Sequence, residues 1–461
     1  MTKTDSTDDP LIVSVSGLRG VVGGSLTTDV ALRYVTAFSA GLPPGAIIVG
    51  RDGRASGPAL ATAMIDRLAE LGRDVIDCDV AATPSIGIAV RATGAIGGVQ
   101  ISASHNPARY NGIKLFSAAG RVLDAAAGRA VRDRFDTAAP WTAAGVPGRS
   151  RTHDAARDHV HLVSDIVDVP AIRQRRLRVW IDCCHGAGSR AALPLLERLG
   201  CDTVVVGGDA DGRYEHDPEP TEGNLAAMLP RVAAAGADVG FFQDPDADRL
   251  AIADPTGRYL GEEATLALAV DAVLSRRAGP IVVNCSTSGM AATLAARHGA
   301  PCHVSAVGEA NVVDAMLATR AILGGEGNGG VIDPRVVLVR DSLVAMAIVL
   351  DHLATHPGTD LTAWADTLPR LVMRKTKVEL SPDLRGPGLP DGLERIARAF
   401  PEARASRLDG LRLDWPGGWL LVRGSNTEPI VRIIAEGEDA ARVTAAIDRA
   451  TAQLVGSSAD T

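Results

Sequence analysis

The sequence predicts an α/β protein in which three related α/β domains precede a smaller α+β domain. Three observations predict it. First, 461 residues at roughly 150 per domain make about three to four domains, and 46% apolar with 22% charged residues is globular composition. Second, one strand–turn–helix–strand pattern occurs three times at wide spacing. Third, the pattern changes after Leu371, where short strand-like runs alternate with two helical stretches. Aromatics are only 3% of the chain, so the cores must be built from Ala, Val, Leu and Ile.

The first unit opens as Ala46-Ile-Ile-Val49, turns through Gly50-Arg-Asp-Gly-Arg-Ala-Ser-Gly57, continues as an apolar helix to Leu71-Gly72 and ends in a strand from Asp74 to Cys78. The second runs from Arg178-Val-Trp-Ile181 through a turn ending at Gly188, then a helix to Leu199-Gly200 and a strand from Thr203 to Val206. The third is Ile281 to Cys285, a turn ending at Gly289, a helix to His298-Gly299 and a strand from Cys302 to Ser305. Each is a buried strand, a polar glycine-containing turn, a helix closed by glycine and a second strand. That alternation argues for βαβ units and a largely parallel sheet. In the tail, residues 378–380, 411–415, 419–422 and 430–434 read as strands, and 393–400 and 439–454 as helices. A Gly/Pro-rich stretch over 382–392 follows the first of these strands. The expected domains are therefore 1–160, 161–256, 257–368 and 369–461.

Net charge is −8 with a pI of about 5.7, so no basic surface points to nucleic acid. The polar first ten residues lack the apolar core of a signal peptide. The longest central apolar run, Leu343 to Leu350, is far too short to span a bilayer. The cysteines at 78, 183, 184, 201, 285 and 302 include no C-x-x-C, which disfavours a zinc ribbon or dithiol pair. A cytoplasmic protein with reduced thiols is the expectation. Only four of the 47 basic residues are lysines (Lys3, Lys114, Lys375 and Lys377), leaving 43 arginines. A GC-rich genome explains the bias, but a lysine that persists can mark a place arginine does not serve.

Four motifs carry chemistry. In Gln100-Ile-Ser-Ala-Ser-His-Asn-Pro107, an apolar strand ends in a Ser/His/Asn cluster closed by proline. Ser104 there suits a nucleophile with His105 beside it and Lys114 one strand later; an Asx-Pro turn capping a helix fits equally, and Ser102 is a second hydroxyl on the same side. In Gln243-Asp-Pro-Asp-Ala-Asp-Arg249, Asp244, Asp246 and Asp248 follow an apolar strand. Three carboxylates so close repel unless they share a hard divalent cation such as Mg²⁺; a solvated acidic turn is the alternative. Arg249 and Pro255 at the sixth and twelfth positions disfavour an EF-hand. In Leu323-Gly-Gly-Glu-Gly-Asn-Gly-Gly330, Glu326 and Asn328 stand on a side-chain-poor loop that suits sugar hydroxyls or is a flexible connector. In Val422-Arg-Gly-Ser-Asn-Thr-Glu-Pro429, Arg423, Ser425, Asn426, Thr427 and the backbone N–H groups suit a phosphate nest, with Arg432 a second guanidinium. An S/T turn is the alternative there.

Together these motifs resemble the α-D-phosphohexomutase superfamily, which includes phosphoglucomutase, phosphomannomutase and phosphoglucosamine mutase. The resemblance covers nearly the whole chain, from Ser16-Gly-Leu-Arg-Gly20 to the phosphate loop. It implies a four-domain, heart-shaped molecule with its active site in a central cleft. It also implies that Ser104 carries a phosphoryl group, which joins Asp244, Asp246 and Asp248 around Mg²⁺. Phosphoserine then donates to a hexose phosphate, and the hexose 1,6-bisphosphate intermediate returns its other phosphate to Ser104. By the same resemblance Arg19, His105, Lys114 and Arg249 stabilise charge and handle protons. Glu326 and Asn328 contact the sugar; Arg423, Ser425, Asn426, Thr427 and Arg432 grip the phosphate that is not transferred.

Two departures bear on this. Many members end the sugar loop Ser-Gly-His where this chain has Asn328-Gly-Gly330, so any duty of that histidine moves, with Lys114 or His105 as candidates. The start differs from the Gly-Thr-Asp-Gly-Ile-Arg-Gly of bacterial phosphoglucosamine mutases. The combined loops look most like the archaeal-type branch, which points to glucosamine phosphate as substrate, with mannose and glucose phosphates as alternatives. A metal-dependent phosphatase gives the last motif no role, and a non-catalytic sugar-phosphate sensor leaves filled catalytic positions unexplained. The expected partner is a small phosphosugar, not nucleic acid or membrane, bound by a monomer or homodimer.

Overall fold

The computed structural model describes residues 9–14, 17–138, 141–379, 388–424 and 430–455. Four sheets follow one another along the chain. The first has seven strands, ordered Ile12–Ser14, Gly17–Val21, Tyr110–Ser117, Gly97–Ile101, Ile47–Arg51, Val75–Val80 and Ser150–Thr152. The second is ordered Leu250–Ala253, Val239–Gln243, Arg178–Asp182, Asp202–Val206. The third is ordered Cys302–Ser305, Ile281–Asn284, Leu323–Glu326, Gly330–Ile332. In the fourth, Val372–Glu379, Ile430–Gly437, Gly418–Gly424, Leu411–Trp415 and Arg404–Ser406 are antiparallel throughout, with helices Gly388–Ala399 and Ala440–Val455.

The repeated unit is larger than the sequence pattern suggests. Its first and second strands pair in parallel, as expected. The chain then crosses back to a third strand parallel to the first. That strand turns at once into an antiparallel partner. The helices of the first crossovers end on Gly72, Gly200 and Gly299, all at positive φ, the left-handed closure that glycine permits. The return loops, residues 102–109, 244–249 and 327–329, therefore occupy the same place in each sheet, and each is one of the sequence motifs.

The first strand of each unit is buried on both faces because helices cover it, which is why it reads as an unbroken apolar run. One apolar core runs through all three, including Ile48, Ile181 and Val283. Helix Ser342–Thr355 is buried from Ser342 to Leu353, which accounts for the apolar run noted above. It packs against Val169–Arg175, Glu262–Leu274, Ala155–Ser164 and Ser189–Arg198, tying neighbouring units together. Among the described residues no helix is long and apolar enough to cross a membrane. Helix Ala155–Ser164 runs across the expected 160/161 boundary, whereas 256/257 and 368/369 fall between elements.

A sealed Ser85–His159–Asp341 chain, with contacts of 2.8 and 2.7 Å, links helix Thr83–Thr93 to the start of the buried helix. It has the residue types of a hydrolase triad but no solvent access, so it is a structural join. The fourth sheet has its own core around Ile396, Leu413, Val422 and Ile433. It docks on the third unit through Glu436, which accepts from Ser288 Oγ, from Gly289 N at 2.7 Å and from Trp419 Nε1 at 2.8 Å.

Candidate functional site

The first return loop presents Ser104 at the end of strand Gly97–Ile101. Its φ is +49°, a left-handed conformation that costs a non-glycine residue roughly 1–2 kcal/mol. Ser104 Oγ donates to Asp244 Oδ2 at 2.8 Å, so the first and second return loops meet at this hydroxyl. His105 Nδ1 lies 3.4 Å from the same oxygen and its Nε2 lies 3.6 Å from Glu219. Burial, then the Arg249 and Arg19 guanidiniums, push the His105 imidazole down to about 2, so it is neutral. Ser102 accepts from Ser104 N at 2.9 Å.

The second return loop holds Asp244, Asp246 and Asp248, all fully buried. One oxygen from each lies within 4.8 Å of the others. Asp246 Oδ1 and Asp248 Oδ1 are buried without a hydrogen-bond partner among the described residues. Orphaned buried carboxylate oxygens are costly, and two of them converging in an oxygen-only site fit a divalent cation. Burial, then Asp248 and Asp246, push Asp244 well above the usual carboxylate range. Burial acts the same way on Asp248, but Arg340 and Lys114 outweigh it and hold that group ionised. Lys114 Nζ donates to Asp246 Oδ2 at 2.6 Å and Asp248 Oδ2 at 2.9 Å. Burial opposes the ammonium, but Asp246 and Asp248 outweigh it and raise its pKa above the ordinary lysine value.

Two guanidiniums border this centre. Arg19, on strand Gly17–Val21, donates to Asn106 Oδ1 at 2.9 Å. Arg249 approaches Asp248 and Glu219 only at 3.8 and 3.9 Å, and its buried Nε has no hydrogen-bond partner among the described residues. Loosely committed positive charge beside a serine and a cation site suits an incoming phosphate.

The third return loop is joined to the second by Arg340, which sequence reasoning missed. Arg340 donates to Asp248 Oδ2 at 2.6 Å, Glu326 Oε2 at 2.7 Å and Glu309 Oε2 at 2.9 Å. Glu326 also accepts from Asn284 Nδ2 at 2.7 Å and Gly308 N at 3.1 Å, so it is heavily bonded within its own unit. Asn328 Oδ1 is buried with no hydrogen-bond partner among the described residues. The loop lies on Glu263: a Cβ on Gly327 would come 1.9 Å from that carboxylate, so a side chain there would displace it. Glu263 accepts from Ser288 N at 2.8 Å, and burial pushes it up to about 8 against the pull of Lys375. A carboxylate whose folded pKa is raised stabilises the fold on the acid side and loses that contribution as pH rises to about 8. Glu263→Gln does not titrate. Its advantage over wild type in thermal unfolding is therefore expected to grow from pH 5 to 8, by up to about 1.4 kcal/mol per pH unit, then level off. A constant difference across that range contradicts this.

In the fourth sheet Arg423 and Arg432 are directly opposite on adjacent antiparallel strands. Facing like charges destabilise a sheet, and a shared anion removes the conflict. Arg423 also pairs with Asp409 at 3.1 Å. Ser425, Asn426 and Thr427, expected between them, lie outside the described residues, as does Ser16. Beyond Arg340, sequence reasoning missed Thr83, whose hydroxyl donates to Asp246 Oδ2, and Glu219 beside His105. Thr83 sits alone in its segment with no motif around it.

A buried serine hydroxyl bonded to an acidic cation site, ringed by arginines and adjoining a polar loop, is the equipment of a phosphoryl-transfer enzyme. Comparison with known proteins narrows the class. The chain matches the phosphoglucomutase/phosphomannomutase models for alpha/beta/alpha domain I over residues 11–140, domain II over 157–257, domain III over 262–371 and the C-terminal domain over 384–453. It is 36% identical to a phosphoglucomutase/phosphomannomutase of Thermococcus kodakarensis, covering 92% of this chain and 93% of that one. It is 31% identical to a probable phosphoglucosamine mutase of Methanopyrus kandleri, covering 93% and 94%. A crystal structure of a phosphoglucomutase/phosphomannomutase family protein from Burkholderia thailandensis superposes with a TM-score of 0.84 at 27% identity, over 96% and 97% of the chains. The chain belongs to the phosphoglucomutase/phosphomannomutase family. It is a phosphohexomutase, an intramolecular phosphotransferase.

Proposed function

We propose that the protein interconverts hexose 6-phosphate and hexose 1-phosphate through phosphorylated Ser104, with glucosamine phosphate as the preferred substrate. The 2.8 Å contact between Ser104 Oγ and Asp244 carries this reading, because a serine held at positive φ bonds one of the three clustered aspartates. Phosphoserine gives its phosphoryl group to a sugar hydroxyl, whose proton passes in balance to Ser104 Oγ. The resulting bisphosphorylated sugar then returns its other phosphate to Ser104. Asp244, Asp246 and Asp248 would hold Mg²⁺, which supplies charge neutralisation for the phosphoryl oxygens. Arg249, Arg19 and Lys114 contribute fixed positive charge around the transferring group, and neutral His105 orients the serine hydroxyl. Asn328 Oδ1 accepts from a sugar hydroxyl, while Glu326, through Arg340, holds the sugar loop to the metal loop. Arg423 and Arg432, with Ser425, Asn426 and Thr427, take the phosphate that stays in place. One clamp serving both substrate orientations requires the sugar to turn over in the cleft.

Removal of the divalent ion with EDTA is expected to abolish turnover, and Mg²⁺ to restore it; full activity after exhaustive chelation contradicts the cation site. Substrate preference is tested by kcat/KM for glucosamine, glucose and mannose phosphates. The probable phosphoglucosamine mutases among the relatives support the first. The 36%-identical relative carries the name phosphoglucomutase/phosphomannomutase and supports glucose and mannose phosphates as the second reading. Comparable values for all three substrates would sink the glucosamine preference.

A further inference from the structure

The turn that follows strand Ile47–Arg51 reaches beneath the serine loop. Arg54, 1% exposed, donates from Nη2 to Ser104 O and Asn106 O, each at 2.6 Å. It donates from Nη1 to Pro107 O at 2.8 Å and Tyr110 O at 2.9 Å. Its Nε donates to Asp52 Oδ2 at 3.0 Å, and Asp52 Oδ1 accepts the Arg54 backbone N–H at 3.0 Å. A guanidinium has five N–H donors in a planar fork, and here all five are used. Three go to carbonyls of the serine loop and one to Tyr110 at the start of the next strand, and the fifth goes to the carboxylate that balances the charge. Ser102 Oγ in turn accepts the Ser104 backbone N–H at 2.9 Å. Ser104 is thus held from both sides of its peptide, by Arg54 on its carbonyl and by Ser102 on its N–H.

The bracket is itself wedged. A Cβ on Gly53 would meet His185 O at 2.6 Å and Ala210 O at 2.9 Å, both from the second unit. The Arg54 guanidinium lies 5.5 Å from the Tyr214 ring. Among the described residues, none of these hydrogen bonds goes to Asp244, Asp246, Asp248 or the third return loop. The contacts converge on the backbone of the serine loop, which holds Ser104 at a φ that serine does not adopt freely.

We infer that Asp52, Arg54 and Ser102 are positioning residues that hold Ser104 in the conformation from which its hydroxyl exchanges the phosphoryl group. This rests on the proposed role of Ser104 and goes beyond it. Lysine keeps the charge but offers three donors from a point rather than five from a plane, so it cannot bracket four carbonyls. Loss of the bracket leaves the sugar site intact and moves the nucleophile.

The test uses the full-length protein, freed of phosphate, mixed with glucose 1,6-bisphosphate and followed by intact mass. In the step measured, a sugar P–O bond breaks, the Ser104 Oγ–P bond forms, and the serine proton goes to the released sugar oxygen. Arg54→Lys is expected to slow phosphorylation of Ser104 about a hundredfold while the Kd for the bisphosphate stays within about threefold of wild type. Because a buried arginine change also lowers stability, Ser102→Ala is the second variant. It leaves Arg54 in place and is expected to slow phosphorylation about tenfold at unchanged Kd. Phosphorylation of Ser102→Ala at the wild-type rate overturns the inference. So does a parallel loss of rate and affinity in Arg54→Lys, which marks general damage. If the wild type takes up no phosphoryl group, the mutase reading falls with it, a result separable from failure of the bracket alone.

Discussion

Ser104→Ala is expected to remove both the phosphoryl group carried by the protein and its turnover, the latter by a factor on the order of 10⁴ or more. The loss should persist when hexose 1,6-bisphosphate is supplied, because the defect is the acceptor atom and not the priming of the enzyme. No neighbouring hydroxyl can substitute. Ser102 is two residues away on the same loop, but its oxygen accepts the Ser104 N–H. Thr83 donates to Asp246 and does not contact Asp244 Oδ2, where Ser104 Oγ sits. Intact mass with and without prior incubation in bisphosphate reads the first effect, and a coupled assay reads the second. A Ser104→Ala protein that still gains a phosphoryl group, or turns over within about tenfold of wild type, removes Ser104 from its proposed role.

What was legible in the sequence depended on whether a feature is local. The parallel strand pairs were legible because strands covered on both faces leave unbroken apolar runs, as in Ile47 to Val49 and Ile281 to Val283. Helix ends were legible from Gly72, Gly200 and Gly299, where a positive φ selects the residue. The aspartate loop showed itself because three carboxylates at alternate positions have few stable arrangements without a cation. The equivalence of the serine, aspartate and glycine loops was not legible. Each is the return of a third strand that pairs with the first across a crossover, and sequence periodicity carries no record of that pairing. Arg54 and Arg340 were hidden for a related reason. Among 43 arginines a buried one has no distinguishing neighbour, and what marks these two is partners 50 and 92 residues away in sequence, respectively. Arg54 lay inside a turn valued only for its glycines. The loop proposed to bind phosphate in the last domain was read from residue types alone; the structure adds Arg423 facing Arg432 across two strands.

Lysine at position 114 poses the sharper chemical question, because arginine is what this chain uses almost everywhere else. Lys114→Arg is expected to keep the fold and lose turnover on the order of 10²-fold or more. Strand Tyr110–Ser117 points the Lys114 ammonium at two carboxylate oxygens, Asp246 Oδ2 and Asp248 Oδ2, which converge on one point. A compact ammonium satisfies such a point, and its charge offsets part of the repulsion among the three aspartates. It leaves Asp246 Oδ1 and Asp248 Oδ1 without partners, the oxygens a cation needs. A guanidinium carries more donors in a plane and would reach those oxygens too, competing with the cation for its ligands. Arg340 already takes Asp248 Oδ2 from the other side, and Arg249 lies near Asp248, so a further planar cation meets crowding as well as competition. Two readouts separate these effects from simple misfolding. The unfolding temperature should stay close to wild type, and the Mg²⁺ concentration for half-maximal activity should rise. The residual rate at saturating Mg²⁺ then reports how far the ammonium also serves the transferring phosphoryl group. Near-normal turnover with an unchanged Mg²⁺ requirement would mean that any cation suffices at this position, and that the lone lysine between Lys3 and Lys375 is an accident of composition.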